Sequence, residues 1–226
     1  MKQKVEELPL FPVRTWQFRA PKSLTDSVEL KVREEKYKCY NTDGGVGTCD
    51  DIHQNPDYED LFEWFQSCVD TLHAKECWNC DRLVINKAWV NRSDAKSGDR
   101  HQPHRHPMSF LSGIFYITEA FDAPTVFLDP LDKREWAGFH LDGGIIDNKV
   151  FYHGGRGGLI LFPSWLVHAT VENDSDVDRY SIALNTFPQG EVNSGGWERP
   201  MAKVKVEGWK DLGALNLGEY LSLIHI

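Results

Sequence analysis

Apolar positions along the chain follow two different periods. From Asn55 onward, Tyr58, Leu61, Phe62, Phe65, Cys68, Val69 and Leu72 recur every three to four residues. That spacing gathers them on one face of a helix, and Asn55-Pro56 offers an N-cap followed by proline in the first turn. The helix is therefore expected to pack that face against a sheet. Residues 24–38 (LTDSVELKVREEKYK) carry a weaker helical pattern, with Asp26 and Glu29 spaced as a capping pair. The stretch 41–50 (NTDGGVGTCD) is rich in turn formers and reads as a loop.

After about residue 82 the helical period disappears. Leu83-Val84-Ile85, Ala88-Trp89-Val90, Phe110–Ile117, Thr125–Leu128, Leu159–Phe162, Ala169–Val171 and Tyr180–Leu184 are short β-prone runs, separated by Gly, Pro, Asn and Asp. Many short strands without intervening helices predict a sandwich, jelly roll or barrel. The reading is one mainly β (α+β) domain over 1–226, with an N-terminal helical flank (1–81), a β core (82–190) and a C-terminal extension (191–226). The stretch 131–157 is long and glycine-rich for a connection, and is expected to be a mobile lid bordering a pocket. Arg134, Trp136, His140 and Arg156 are its candidate substrate contacts.

Composition narrows the picture. Hydrophobic residues are 41% of the chain and aromatics 12%, which supports a packed core. The formal net charge of −9 disfavours nucleic acid as a partner. No apolar run approaches the ~20 residues of a membrane span, and the N-terminal segment has no signal-peptide pattern. Five cysteines with no secretion signal suggest reduced thiols and a cytoplasmic setting. Cys77-Trp-Asn-Cys80 has the spacing of half a zinc knuckle or a redox pair, but packing thiols near a helix end are the better reading, since no second such pair follows.

The candidate chemistry lies in 101-HQPHRHPMSFLSGIFYI-117. In an extended chain residues two apart share a face, so His104 and His106 project together, away from Arg105. His168, just beyond the apolar run 158-GLILFPSWLVH-168, can supply a third imidazole from another strand. Singly, each histidine reads better as solvated surface or as a bonded core residue; together they favour a metal, and imidazoles suit Fe, Zn, Cu or Ni alike. In 178-DRYSIALN-185, alternation sets Tyr180, Ile182 and Leu184 on one face and Arg179, Ser181, Ala183 and Asn185 on the other. That second face is either half-exposed surface or a barrel interior where Arg179 and Ser181 grip a carboxylate.

The order of these residues resembles that of the iron(II)/2-oxoglutarate-dependent oxygenases. More closely, 104-HRHPMSFLSGIFY-116, 127-FLDP-130, 158-GLILFPSWLVH-168 and 179-RYSIALN-185 are similar to the motifs of a family of such oxygenases from bacteria and marine phages. The likeness extends to 9-PLFPVRTWQF-18 and to Trp89-Val90-Asn91. It implies a double-stranded β-helix (jelly-roll) core with the N-terminal helices packed on one sheet. It implies Fe(II) held by His104, His106 and His168, with 2-oxoglutarate as cosubstrate anchored by Arg179 and Ser181. The reaction implied is hydroxylation of a small-molecule or macromolecular substrate, coupled to decarboxylation of 2-oxoglutarate to succinate and CO2. The implied setting is the cytoplasm of a bacterium or of a phage-infected host.

His106 stands where the wider superfamily carries Asp or Glu, which leaves the site one charge more positive. Asp129 is the alternative third ligand, while His101, His140 and His153 have no assigned role. Two competing functions remain: a cupin-like three-histidine metalloenzyme that does not use 2-oxoglutarate, and a non-enzymatic ligand-binding jelly roll.

Overall fold

The structure, a computed structural model, describes residues 12–39, 46–119, 123–130, 149–194 and 202–206. Its strands are β1 (Trp16–Arg19), β2 (Lys38–Cys39), β3 (Gly47–Cys49), β4 (Cys80–Ser93), β5 (Leu111–Tyr116), β6 (Thr125–Leu128), β7 (Lys149–Tyr152), β8 (Gly158–Pro163), β9 (His168–Thr170), β10 (Arg179–Val192) and β11 (Ala202–Val204). Two helices, α1 (Lys22–Glu34) and α2 (Glu59–Glu76), precede β4. The described strands form two antiparallel sheets. The larger runs β1-β8-β5-β10-β4-β3-β2, with β11 added to β10; the smaller runs β7-β6-β9.

Alternation along the strands sorts side chains between two apolar layers. Leu159 and Leu161 of β8, and Tyr180, Ile182 and Leu184 of β10, face the helices, where they join Val28 and Val32 of α1 and Phe62, Phe65, Val69 and Leu72 of α2. Each large apolar side chain taken fully out of water here contributes ~1.5–3 kcal/mol. The intervening Ile160 and Phe162, with Ile114 and Tyr116 of β5, face the smaller sheet and meet Phe127 and Leu166. The large sheet is thus buried on both faces, which explains why β5 and β8 read as continuous apolar runs.

The apolar runs 83–85 and 88–90 belong to the single strand β4. Its register with β10 shifts between Asn185 and Thr186, which face Lys87 and Ile85, so Asn86 is the extra residue of a bulge. A bulge inverts the alternation. Leu83 and Ile85 therefore share the helix-facing core with Ala88 and Val90 despite their opposite parity. The backbone there is satisfied by side chains: Gln66 donates to Leu83 O (2.8 Å) and accepts from Ile85 N, while Ala88 N donates to His53 Nδ1.

Three local expectations are corrected. The N-terminal region is more than a helical flank, because β1 closes one edge of the large sheet and β3 and β2 extend the other. Residues 47–49, expected in a loop, pair with β4. Asp26 and Glu29 do not cap α1, which begins after Pro21; both bind Arg156 instead. Helix α2 does begin at Asn55-Pro56, through a 3-10 turn in which Asn55 accepts from Asp57 N.

Of the stretch 131–157, residues 131–148, with Arg134, Trp136 and His140, lie outside the described residues. Its end is β7 followed by a turn tied to α1. Arg156 pairs with Asp26 and Glu29 (both 2.7 Å), and Arg19 donates to Arg156 O (2.6 Å). Arg156 is thereby committed to a helix contact rather than to a substrate. Cys49, Cys68, Cys77 and Cys80 are free thiols.

Candidate metal centre and inner pocket

The segment 101–106 follows β9 without being a regular strand. His104 N donates to His168 O and His168 N to His104 O, both at 2.9 Å. Thr170 N donates to His101 O, and His106 N to Ser164 O. The segment thus lies along the smaller sheet beside β9. Pro103 and Pro107 bracket its residues 104–106 and lack the N–H that a longer ladder needs. Residues opposed in an antiparallel bridge present side chains on the same face, so this pairing sets His104 against His168, with His106 beside them.

His104, His106 and His168 each offer a ring nitrogen, and these atoms lie within 4.8 Å of one another. The ring centroids are 4.4 Å apart for His104–His168, 5.0 Å for His106–His168 and 5.2 Å for His104–His106. In every ring Nδ1 faces a carbonyl-type oxygen: Gln102 O for His104 (2.7 Å), Asn185 Oδ1 for His106 (2.7 Å) and Leu166 O for His168 (3.0 Å). An oxygen acceptor at Nδ1 places the hydrogen there and leaves the Nε2 lone pair free. Burial lowers His106 to about 4 and His168 to about 3, so both rings are neutral at neutral pH. Neutral, oriented imidazoles with a common focus are what a divalent transition metal requires, and the residues fit Fe(II). Asp129, the alternative ligand, is not a member of this group.

Asn185 is the residue that the sequence motif contained without disclosing its role. Its Oδ1 accepts from both His106 and Ser112 Oγ (2.9 Å), so the serine fixes the amide and the amide fixes the ring. Asn185→Ala should weaken metal binding ~10–100-fold, the range for loss of a group that orients a ligand. A chelator-competition titration measures this, and unchanged affinity would remove Asn185 from the site.

Two cavities meet at the histidines. The outer one, about 580 Å³, lies against His104 and His106 and is walled by Thr48, Asp50, Lys87, Trp89 and Arg105. The inner one runs between the sheets from the three histidines to Tyr116, Thr125, Arg179 and Ser181. Arg179 is only 5% exposed. It donates to Ala123 O (3.1 Å) and Ser93 Oγ (3.3 Å), and among the described residues no carboxylate lies within ion-pair distance of it. Burial pulls its guanidinium down to about 10, which leaves it cationic at neutral pH. Ser181, also buried, lines the same cavity. The structure therefore brings His104, His106, His168, Arg179 and Ser181 around one cavity. His101 lines both cavities, and His153 borders a separate small pocket near Tyr152.

The family model described as "Putative 2OG-Fe(II) oxygenase" matches residues 87–185, a span that holds all five of these residues. No curated protein sequence matches the chain. Among solved structures, the chain is similar to the "non-heme alpha ketoglutarate dependent epimerase SnoN from nogalamycin biosynthesis", at 11% identity over 86% of this chain and 90% of that one, with a TM-score of 0.61. It is similar to a Pseudomonas putida prolyl-4-hydroxylase, at 13% identity over 79% and 94% of the two chains and a TM-score of 0.57. HygX from Streptomyces hygroscopicus, solved with nickel and 2-oxoglutarate bound, is 12% identical over 80% and 85%, with a TM-score of 0.54. At these identities the structural likeness shows the fold, a double-stranded β-helix.

Proposed function

We propose that the chain is a 2-oxoglutarate- and Fe(II)-dependent oxygenase, in keeping with the family model that matches residues 87–185, and that His104, His106 and His168 hold the iron while Arg179 and Ser181 hold the far carboxylate of 2-oxoglutarate. One observation carries the reading: a buried guanidinium with no carboxylate partner among the described residues ends the cavity that begins at the three free imidazole nitrogens. A buried unpaired charge is costly, so a cavity that keeps one is built for an anion. When bound, iron and 2-oxoglutarate would supply, with O2 as oxidant, decarboxylation of 2-oxoglutarate to succinate and CO2 coupled to hydroxylation of a substrate C–H bond, one oxygen atom going to succinate and the other to the product.

The chain's own residues set the conditions for that chemistry. Gln102 O, Leu166 O and Asn185 Oδ1 hold the three rings in one orientation and one tautomer. Ile114, Trp89 and Ala183 wall the inner cavity and limit water there. Arg179 presents its fork and Ser181 its hydroxyl to a carboxylate at the far end. The outer cavity, with Asp50, Lys87 and Arg105 around Trp89, admits the substrate from the other side of the histidines. We take that substrate to be a small molecule or an exposed group of a macromolecule other than nucleic acid, in keeping with the net charge of −9. The free thiols and the family resemblance support a cytoplasmic setting in a bacterium or a phage-infected cell.

The all-histidine donor set favours one second reading, a cupin-like metalloenzyme that takes no 2-oxoglutarate. Anaerobic addition of 2-oxoglutarate to the Fe(II)-loaded protein decides between them. The oxygenase develops a saturable metal-to-ligand charge-transfer band; a protein that binds Fe(II) and gives no band belongs to the second reading.

A further inference from the structure

We infer that Asn91 is a third member of the seat for the far carboxylate and takes part in selecting a dicarboxylate; the inference rests on the 2-oxoglutarate reading above. Asn91 lies on β4, and its Cα partners are Ser181 on β10 and Thr48 on β3. Ser181 in turn faces Tyr116 on β5. Residues paired in this way across antiparallel strands project to one face with Cβ atoms ~4.5–5.5 Å apart. Asn91 and Ser181 therefore stand side by side on the wall of the inner cavity, one register step from the pair Ser93–Arg179.

The amide of Asn91 is buried, with the residue only 7% exposed, yet its Oδ1 has no hydrogen-bond partner among the described residues. Its neighbours on the wall are differently engaged. Tyr116 Oη is bonded to Thr125 Oγ1 (2.6 Å), and Arg179 is steadied by Ala123 O and Ser93 Oγ. A buried polar group without a partner lowers stability, and such groups are few in folded proteins. Nothing among the described residues fixes the Asn91 amide in one orientation, so it can turn its NH2 toward an anion held by Arg179 and Ser181. An amide donor beside a guanidinium fork and a hydroxyl gives three kinds of donor around one carboxylate.

The test is a titration of 2-oxoglutarate into the anaerobic Fe(II) protein, read by the charge-transfer band, for wild type, Asn91→Ala and Asn91→Asp. Iron content and melting temperature are measured alongside. Asn91→Ala should bind ~10-fold more weakly, the effect of losing one hydrogen bond to a charged group. Asn91→Asp keeps the shape but replaces the donor by a carboxylate, which competes for Arg179 and repels the ligand; it should bind more weakly than Asn91→Ala. A residue that only fills space would give the reverse order, because Asp is the closer mimic in shape. Wild-type affinity in Asn91→Ala, or Asn91→Asp binding as well as wild type, overturns this inference alone. If wild type gives no band, the oxygenase reading fails and this inference falls with it.

Discussion

His168→Ala is expected to abolish metal binding. Wild-type protein should carry about one divalent ion per chain, held by the three imidazoles, and with one donor gone the remaining pair, His104 and His106, is an incomplete site. His168 is the ligand contributed from a different part of the sequence, so its loss tests the long-range pairing as well as the chemistry. Its ring sits 4.9 Å from that of Phe162 and 6.1 Å from that of Phe127, and truncation leaves a gap in that aromatic packing. His168→Gln fills more of the gap and serves as the second variant; it should also lose the metal while melting closer to wild type. His104→Ala should lose metal with less effect on the fold, because that ring lies at the edge where the outer cavity opens. Asp129→Ala is the control and should retain metal. Metal analysis of the purified variants reads the result. Unchanged content in both His104→Ala and His168→Ala would mean that the cluster is not the binding site.

The site was legible where its signal was local. The two-residue spacing of His104 and His106, and the alternation of Arg179, Ser181, Ala183 and Asn185, are one-dimensional patterns that survive folding because extended chain has a fixed period. Alternation puts Asn185 on that face, but its bond to His106 depends on how 101–106 lies across the mouth of the sheets, which no period encodes. Asn91 is similar: it is one of several polar residues in β4, and its lack of a partner is visible only after β3, β4 and β10 are placed side by side. The two cores were legible as apolar runs, and their boundary was not. The bulge at Asn86 makes one strand look like two, because it puts odd-numbered Leu83 and Ile85 and even-numbered Ala88 and Val90 on the same face. The short outlying strands escaped for the opposite reason. β1 and β3 are short and mix polar with apolar residues, and their pairing is set by the large sheet they join rather than by their own composition. The proposed capping role of Asp26 and Glu29 failed because α1 begins earlier, after Pro21, which leaves both carboxylates inside the helix, where they pair with Arg156.

Arg179→Met is expected to separate cosubstrate binding from metal binding. Met keeps much of the length and apolar volume of Arg but removes the charge and the fork. In the native chain the guanidinium is fixed by Ala123 O and Ser93 Oγ and has no carboxylate partner among the described residues, so its charge is directed into the cavity. Truncating one partner of a buried, hydrogen-bonded charge pair typically costs ~2–5 kcal/mol. Affinity for 2-oxoglutarate should therefore fall by ~30-fold or more. Iron content should not change, because Arg179 lies in the inner cavity beyond the three imidazoles and contributes none of the ring nitrogens that converge there. Stability without ligand should hold or rise, since the variant no longer buries an unpaired cation. Arg179→Lys divides the effect further: it restores the charge without the planar fork, so partial recovery assigns the interaction to charge and no recovery assigns it to bidentate geometry. The measurement is the charge-transfer titration, with iron analysis and thermal melting on the same samples. Equal 2-oxoglutarate affinity in wild type and Arg179→Met would free Arg179 from the carboxylate and leave the three-histidine centre without its proposed cosubstrate anchor.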